Sequence, residues 1–153
     1  VYLAMGLLST WGSYYVQIQR WDWLVFLASV PVGFLVTAIL NMNNVRDYQE
    51  DLQVHKLTLP VRFGQTFGIW YHTGLLFGSY VAVTLFVLLG WFPVYGLLVW
   101  ITFPLAFINV RSVFTAVDRK AFIVGIKRTS TLHLQFGAAL ALGLLLARFI
   151  VVH

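Results

Sequence analysis

Five apolar stretches, 1–18, 21–40, 67–89, 94–110 and 132–152, contain only Asp22, His72, His133 and Arg148 as ionisable groups other than tyrosine. Each reaches or approaches the roughly 20 residues that carry a helix across a bilayer. A bilayer core offers no hydrogen-bond partner, so a spanning segment must satisfy its own backbone, as a helix or within a closed barrel. No stretch alternates apolar and polar residues in the way a barrel strand does. The chain is therefore read as an all-α, polytopic transmembrane helix bundle of about five helices. Composition agrees: 60% of the 153 residues are apolar and 10% charged, against about 45–50% and 25% in soluble domains. Mean hydropathy is +0.84, and a soluble core of this length cannot hide so much apolar surface.

The whole chain 1–153 reads as a single transmembrane domain, and its connections set the topology. Arg20 joins the first two stretches and residues 90–93 the third and fourth, whereas 41–66 and 111–131 are long. With five spans the two long connections share one side. They hold Arg46, Lys56, Arg62, Arg111, Arg119, Lys120, Lys127 and Arg128, leaving Arg20 and Arg148 opposite. Eight basic residues against two predict that both long loops are cytoplasmic, in an integral protein of the bacterial plasma membrane. Trp21, Trp23, Trp91 and Phe92 fall where an aromatic belt belongs on the far side. The net charge of +5 is then topology and lipid headgroup attraction, not a nucleic-acid footprint. The absence of cysteine removes disulfides, thiolate nucleophiles and thiolate metal sites. The chain opens on Val1 inside an apolar run, which reads as a protein whose beginning is not included.

The chain has five acidic residues, and Asp47, Glu50 and Asp51 lie within five positions of one another. On a helix continuing from the second stretch, Asp47 and Asp51 stand at i and i+4 on one face, with Asn43 or Asn44 a turn earlier. Two like carboxylates this close repel unless a cation sits between them. Hard oxygen ligands completed by water and phosphate suit magnesium, and Lys56 and Arg62 follow to complement an anion. A solvated interfacial turn, with Arg46 and Glu50 as an ordinary i,i+4 pair, has the same composition, and spacing admits both readings. His72 and His133 read as helix–helix hydrogen-bonding groups, the many glycines as points of close helix packing, and Asp118 with Arg119 and Lys120 as a solvated loop.

The segment Asn43-Asn-Val-Arg-Asp-Tyr-Gln-Glu-Asp-Leu-Gln-Val-His-Lys-Leu-Thr-Leu-Pro-Val-Arg-Phe-Gly64 resembles the second aspartate-rich motif of the UbiA superfamily of intramembrane prenyltransferases. It is most similar to the 1,4-dihydroxy-2-naphthoate polyprenyltransferases of menaquinone and phylloquinone synthesis, whose pattern is roughly N-N-x-R-D-x-x-x-D-x-x-x-G-K-x-T-L-x-V-R-x-G. Gly12-Ser-Tyr-Tyr-Val-Gln17, Ala28-Ser-Val-Pro-Val-Gly33 and Leu132-His-Leu-Gln-Phe-Gly137 agree in order along the chain. His55 stands where the family has Gly, Leu52, Gln53 and Leu57 where basic residues are common, and Pro60 where a small residue is common.

The resemblance implies the last five helices of a nine-helix fold, without the first aspartate-rich motif. It implies Mg2+-dependent transfer of a polyprenyl or phytyl group from an isoprenyl diphosphate to an aromatic acceptor such as 1,4-dihydroxy-2-naphthoate. Asp47 and Asp51 would be the catalytic metal ligands, with Asn44, Lys56 and Arg62 binding the diphosphate. The competing reading is a non-catalytic subunit, or a quinone- or lipid-binding module, working with other subunits of a membrane complex. The topology is checked by cysteines introduced at Ser112 and Trp91, which are expected to label from opposite sides of the membrane; labelling from one side would overturn it.

Overall fold

The computed structural model describes residues 6–150, and all regular structure among them is helical. The elements are α1 (Ser9–Ile18), α2 (Trp23–Arg46), α3 (Tyr48–Gln53), α4 (Leu59–Phe63), α5 (Gln65–Leu88), α6 (Phe103–Phe114) and α7 (Arg119–Ile150). A 3-10 segment, Val94–Thr102, runs directly into α6. Four helices are long and apolar enough to cross a membrane: Trp23–Arg46, Gln65–Leu88, Val94–Phe114 and Arg119–Ile150. The expected first span, 1–18, is helical over Ser9–Ile18, and residues 1–5 lie outside the described residues, as do 151–153 at the end of the fifth.

The long connections differ from the sequence reading. Residues 41–46 belong to α2, and much of 47–66 is folded into α3 and α4. In place of a loop over 111–131, only 115–118 connect α6 to α7. Asp118 is the reason: its carboxylate accepts from the Ala121 backbone N–H at 2.7 Å, satisfying one of the orphan donors at a helix start. Asp22 does the same for α2, accepting from Leu24 N–H at 2.8 Å. Pro104, in the first turn of α6, cannot donate a backbone hydrogen bond, and the change from 3-10 to α winding occurs beside it.

Helix α2 packs along α5 and also against α7, while α7 lies against the 3-10 segment and α6. The main core joins Leu35, Ala38, Leu76, Tyr80, Val99, Ala106, Leu132 and Phe136. Tyr80 is its centre, edge-on to Phe103 and Phe136 at centroid distances of 5.4 and 5.2 Å. Its hydroxyl pairs with Thr102 Oγ1 at 2.7 Å. Lipid tails are as apolar as this core, so burial alone does not hold such helices together; close packing and interhelical hydrogen bonds do. Asn109 Nδ2 donates to Thr129 Oγ1 at 2.8 Å, joining α6 to α7. His72 Nδ1 lies 3.2 Å from the Ala38 carbonyl, joining α5 to α2. His133 differs from its sequence reading: it makes no hydrogen bond among the described residues, and its Nε2 is buried without a partner. Phe92 is also buried, so it belongs to the core and not to an aromatic belt, whereas Trp21, Trp23 and Trp91 are exposed.

The glycines divide sharply. At Gly143 a Cβ would stand 2.2 Å from the Tyr95 carbonyl oxygen, because α7 touches the 3-10 segment backbone to backbone there. Gly12, Gly74 and Gly137 meet nothing within 4 Å, which corrects the reading of all of them as packing points. Gly143→Ala is expected to lower the stability by about 1–3 kcal/mol through overpacking. Gly137→Ala is expected to be neutral or to gain up to about 1 kcal/mol from helix propensity. Thermal unfolding of the purified protein in detergent distinguishes them, and equal effects would refute the contact.

Candidate functional site

The motif is built at the end of α2 and the start of α5. Asn41 Nδ2 donates to the Gly68 carbonyl at 2.7 Å, and Gln65 Nε2 to the Val45 carbonyl at 2.9 Å. These bonds fix the two helix ends relative to each other and hold α3 and α4 between them. The Asp51 N–H donates to the Asp47 carbonyl at 2.8 Å, so the two aspartates are one helical turn apart, as their spacing predicted.

Their side chains meet different partners. Asp47 accepts from Arg46 Nε at 2.7 Å and from its Nη2 at 2.5 Å. It also accepts from Arg119 Nη2 at 3.1 Å. Asp51 is buried and takes Lys56 Nζ at 3.1 and 3.3 Å. Glu50, exposed, pairs with Arg119. The anticipated Arg46–Glu50 pair is therefore replaced by Arg46–Asp47 and Arg119–Glu50. Arg119 was assigned to a solvated loop; it opens α7 and bridges two acids of the motif. The hydrogen bonds from Arg46, assisted by the charges of Arg46, Arg119 and Lys56, hold the Asp47 carboxyl below the usual carboxylate range despite its partial burial. The Arg119–Glu50 pair is exposed, and such pairs are worth only about 0–1 kcal/mol. Lys56, in contrast, meets a buried Asp51 carboxylate, which cannot lose its partner without cost.

A cleft of about 550 Å3 opens beside the motif, with Asn41, Asn44, Lys56, Thr58 and Tyr71 among its lining. Two polar atoms there, Asn41 Oδ1 and Thr58 Oγ1, are buried without a hydrogen-bond partner. Buried polar atoms are paired in the great majority of cases, and these two, an amide acceptor and a hydroxyl, are left unpaired on residues that line the cleft. A second cleft of about 330 Å3 lies on the Arg119 side, lined by Arg46, Gln49, Glu50 and Arg119. Of the sequence candidates, Asn44 and Lys56 line the first cleft, and Asp51 is tied to it through Lys56. Asp47 turns toward α7. Arg62 is exposed on α4 and makes no ion pair among the described residues. Asn41, Thr58 and Tyr71 have no role in the sequence reading, which places Arg119 only in a solvated loop. Thr58 is itself a position of the quoted motif, and Asn41 sits in the Asn-rich tract that precedes it, but neither carries a charge to draw notice.

The donor set suits magnesium by its chemistry. Asp47, Asp51 and the amide oxygens of Asn41 and Asn44 are hard oxygen ligands. Among the described residues no group of three acids and histidines forms a complete protein cage. Magnesium commonly takes one or two carboxylates and leaves its other positions to water and phosphate. Asp47 and Asp51 would hold it, with Lys56, Arg46 and Arg119 as the cations beside them.

His55 explains one departure from the motif. After α3, Lys56 N–H donates to the Asp51 carbonyl at 2.9 Å and His55 N–H to Leu52 at 3.3 Å. This paired closure places residue 55 in the left-handed region, at φ 53°. Glycine is favoured there because a Cβ costs about 1–2 kcal/mol. The turn also returns Lys56 toward Asp51.

The UbiA prenyltransferase family model matches residues 1–126. The 1,4-dihydroxy-2-naphthoate octaprenyltransferase of Escherichia coli is 34% identical over 97% of this chain and 48% of its own length. That of Mycobacterium leprae is 36% identical over 74% of this chain and 37% of its own. The Bacillus subtilis protein of the same description is 26% identical over 96% and 47%. The chain thus spans about half the length, or less, of these relatives. No solved structure matches at comparable significance.

The turn generates a stability test. His55→Gly is expected to raise the unfolding free energy by up to about 1 kcal/mol, and His55→Val to lower it by about as much, since the side chain is exposed and β-branching resists positive φ. Thermal unfolding reads the sign; a loss for both variants would refute the strained turn.

Proposed function

The chain belongs to the UbiA prenyltransferase family, and from that premise we propose that the protein transfers a polyprenyl group from its diphosphate to an aromatic acceptor such as 1,4-dihydroxy-2-naphthoate. The observation that carries this reading is the cleft in which Asn44 and Lys56 stand beside the unpartnered Asn41 Oδ1 and Thr58 Oγ1. A diphosphate is rich in acceptor oxygens. Thr58 can donate its hydroxyl proton to one of them, and the Lys56 ammonium can follow the charge as it leaves Asp51. Asp47 and Asp51 are the proposed magnesium ligands, and magnesium when bound would draw charge from the leaving diphosphate.

The chemistry needs an allylic C–O bond to break and the electron-rich acceptor ring to capture the carbon released. Water would compete for that carbon. Placing the reaction in a lipid-facing bundle keeps water away and accommodates the apolar tail. The charge distribution of the connections supports a site on the cytoplasmic face of the membrane.

Arg119 enters this reading as a positioning residue. By bridging Asp47 and Glu50 it keeps the start of α7 against the motif while the aspartates await their ligand.

Asp47→Ala and Asp51→Ala are each expected to abolish prenyl transfer in membranes that contain the full-length protein. Glu50→Ala is expected to be much milder, because Glu50 is exposed and only loses its pair with Arg119. Magnesium-dependent incorporation of a labelled isoprenyl group into the acceptor measures this. Equal losses for Glu50 and Asp51, or normal turnover without Asp47, would overturn the assignment and favour a non-catalytic binding role.

A further inference from the structure

A third cleft, of about 250 Å3, lies between α6 and α7 and shares no lining residue with the two around the motif. Its wall combines the cations Lys127 and Arg128 with the polar Thr131 and Gln135 and the apolar Leu105 and Ile108. On α7, Lys127, Thr131 and Gln135 recur every four residues and so form one stripe.

The register of the two helices orders these groups by depth. Asn109 bonds to Thr129, and Gly125 stands against Val113, where a Cβ would come within 2.8 Å. The helices are therefore antiparallel, with residues of falling number in α6 beside residues of rising number in α7. Leu105 and Ile108 thus lie toward the membrane interior from the Lys127–Arg128 pair. That pair stands about 12 Å along α7 from Arg119, at the motif end of the bundle.

Lys127 and Arg128 are exposed and join none of the ion pairs among the described residues. All acids at that end of the bundle are engaged elsewhere: Asp47, Glu50 and Asp51 with Arg46, Arg119 and Lys56, and Asp118 as the cap of α7. Two unneutralised cations above an apolar cleft match one anionic headgroup above an acyl chain. Leu105 and Ile108 are exposed along this cleft on the interior side of the cations, which is where a hydrocarbon chain would lie.

We propose that the α6–α7 cleft is a binding site for an anionic phospholipid, its phosphate held by Lys127 and Arg128 and an acyl chain laid along Leu105 and Ile108. The isoprenyl diphosphate has similar chemistry, but its proposed cleft beside Asn44 and Lys56 is lined by other helices and other residues. The lipid site does not depend on the catalytic reading.

The test uses the full-length protein in neutral detergent, with native mass spectrometry after incubation with phosphatidylglycerol or phosphatidylcholine. Phosphatidylglycerol is expected to be retained in preference. The double variant Lys127→Gln/Arg128→Gln is expected to weaken that retention about thirtyfold. Ile108→Trp, which fills the cleft and keeps both charges, is also expected to weaken it, and it decides the matter if the double variant shifts the lipid-free unfolding midpoint. A soluble short-chain isoprenyl diphosphate is expected not to displace the phospholipid. Equal retention of the two lipids, retention indifferent to the variants, or displacement by the isoprenyl diphosphate would each overturn the proposal, the last by assigning the cleft to the substrate.

Discussion

A lipid bilayer cannot hydrogen-bond a peptide group, and the rest of this structure follows from that fact. Every long apolar stretch must close its backbone internally, so all regular structure among the described residues is helical. The same solvent removes the usual reason for helices to associate, since Leu105 or Ile108 loses little by facing lipid instead of protein. What remains are close backbone approaches, as at Gly143 and Tyr95, and polar pairs that find no better partner in hydrocarbon. Tyr80 with Thr102, Asn109 with Thr129, and His72 with the Ala38 carbonyl each join two helical segments.

Charge is scarce, and its placement is correspondingly informative. Three of the five acids stand at the α2–α3 junction, and each is neutralised by a cation within the same end of the bundle. Two of those cations, Arg46 and Lys56, are local in sequence. The other, Arg119, comes from α7. This network keeps the partly buried Asp47 and the buried Asp51 paired with cations, as carboxylates drawn out of water require. The unpartnered Asn41 Oδ1 and Thr58 Oγ1 have no such cover. They add an amide acceptor, Asn41, and a hydroxyl, Thr58, to a motif otherwise known by its acids.

The same end of the bundle carries a separate basic pair, Lys127 and Arg128, that no acid neutralises. A positive surplus on one face is commonly attributed to topology alone. Here the α6–α7 packing places two of these cations above an apolar cleft, so part of the surplus has a defined location and a matching ligand chemistry.

Hydropathy and spacing by themselves determined the helical class, the position of four spanning helices and the one-turn relation of Asp47 to Asp51. These depend on local periodicity and on the solvent, both written in consecutive residues. Only the tertiary structure decided that Asp51 is buried, that Glu50 pairs with Arg119 and not with Arg46, that α7 begins at Arg119, and that Gly143 touches a neighbour while Gly137 does not. The lipid-facing and core-facing sides of these helices are equally apolar, so no pattern announces which side meets which helix. Arg119 lies 69 residues from Glu50 and 72 from Asp47. Contacts over that separation are set by how helices pack, and side-chain chemistry alone gives no sign of them. His55 lies between the two cases: the departure from glycine was visible in the sequence, but the left-handed turn appears only in the paired backbone bonds that close α3 and return Lys56 to Asp51.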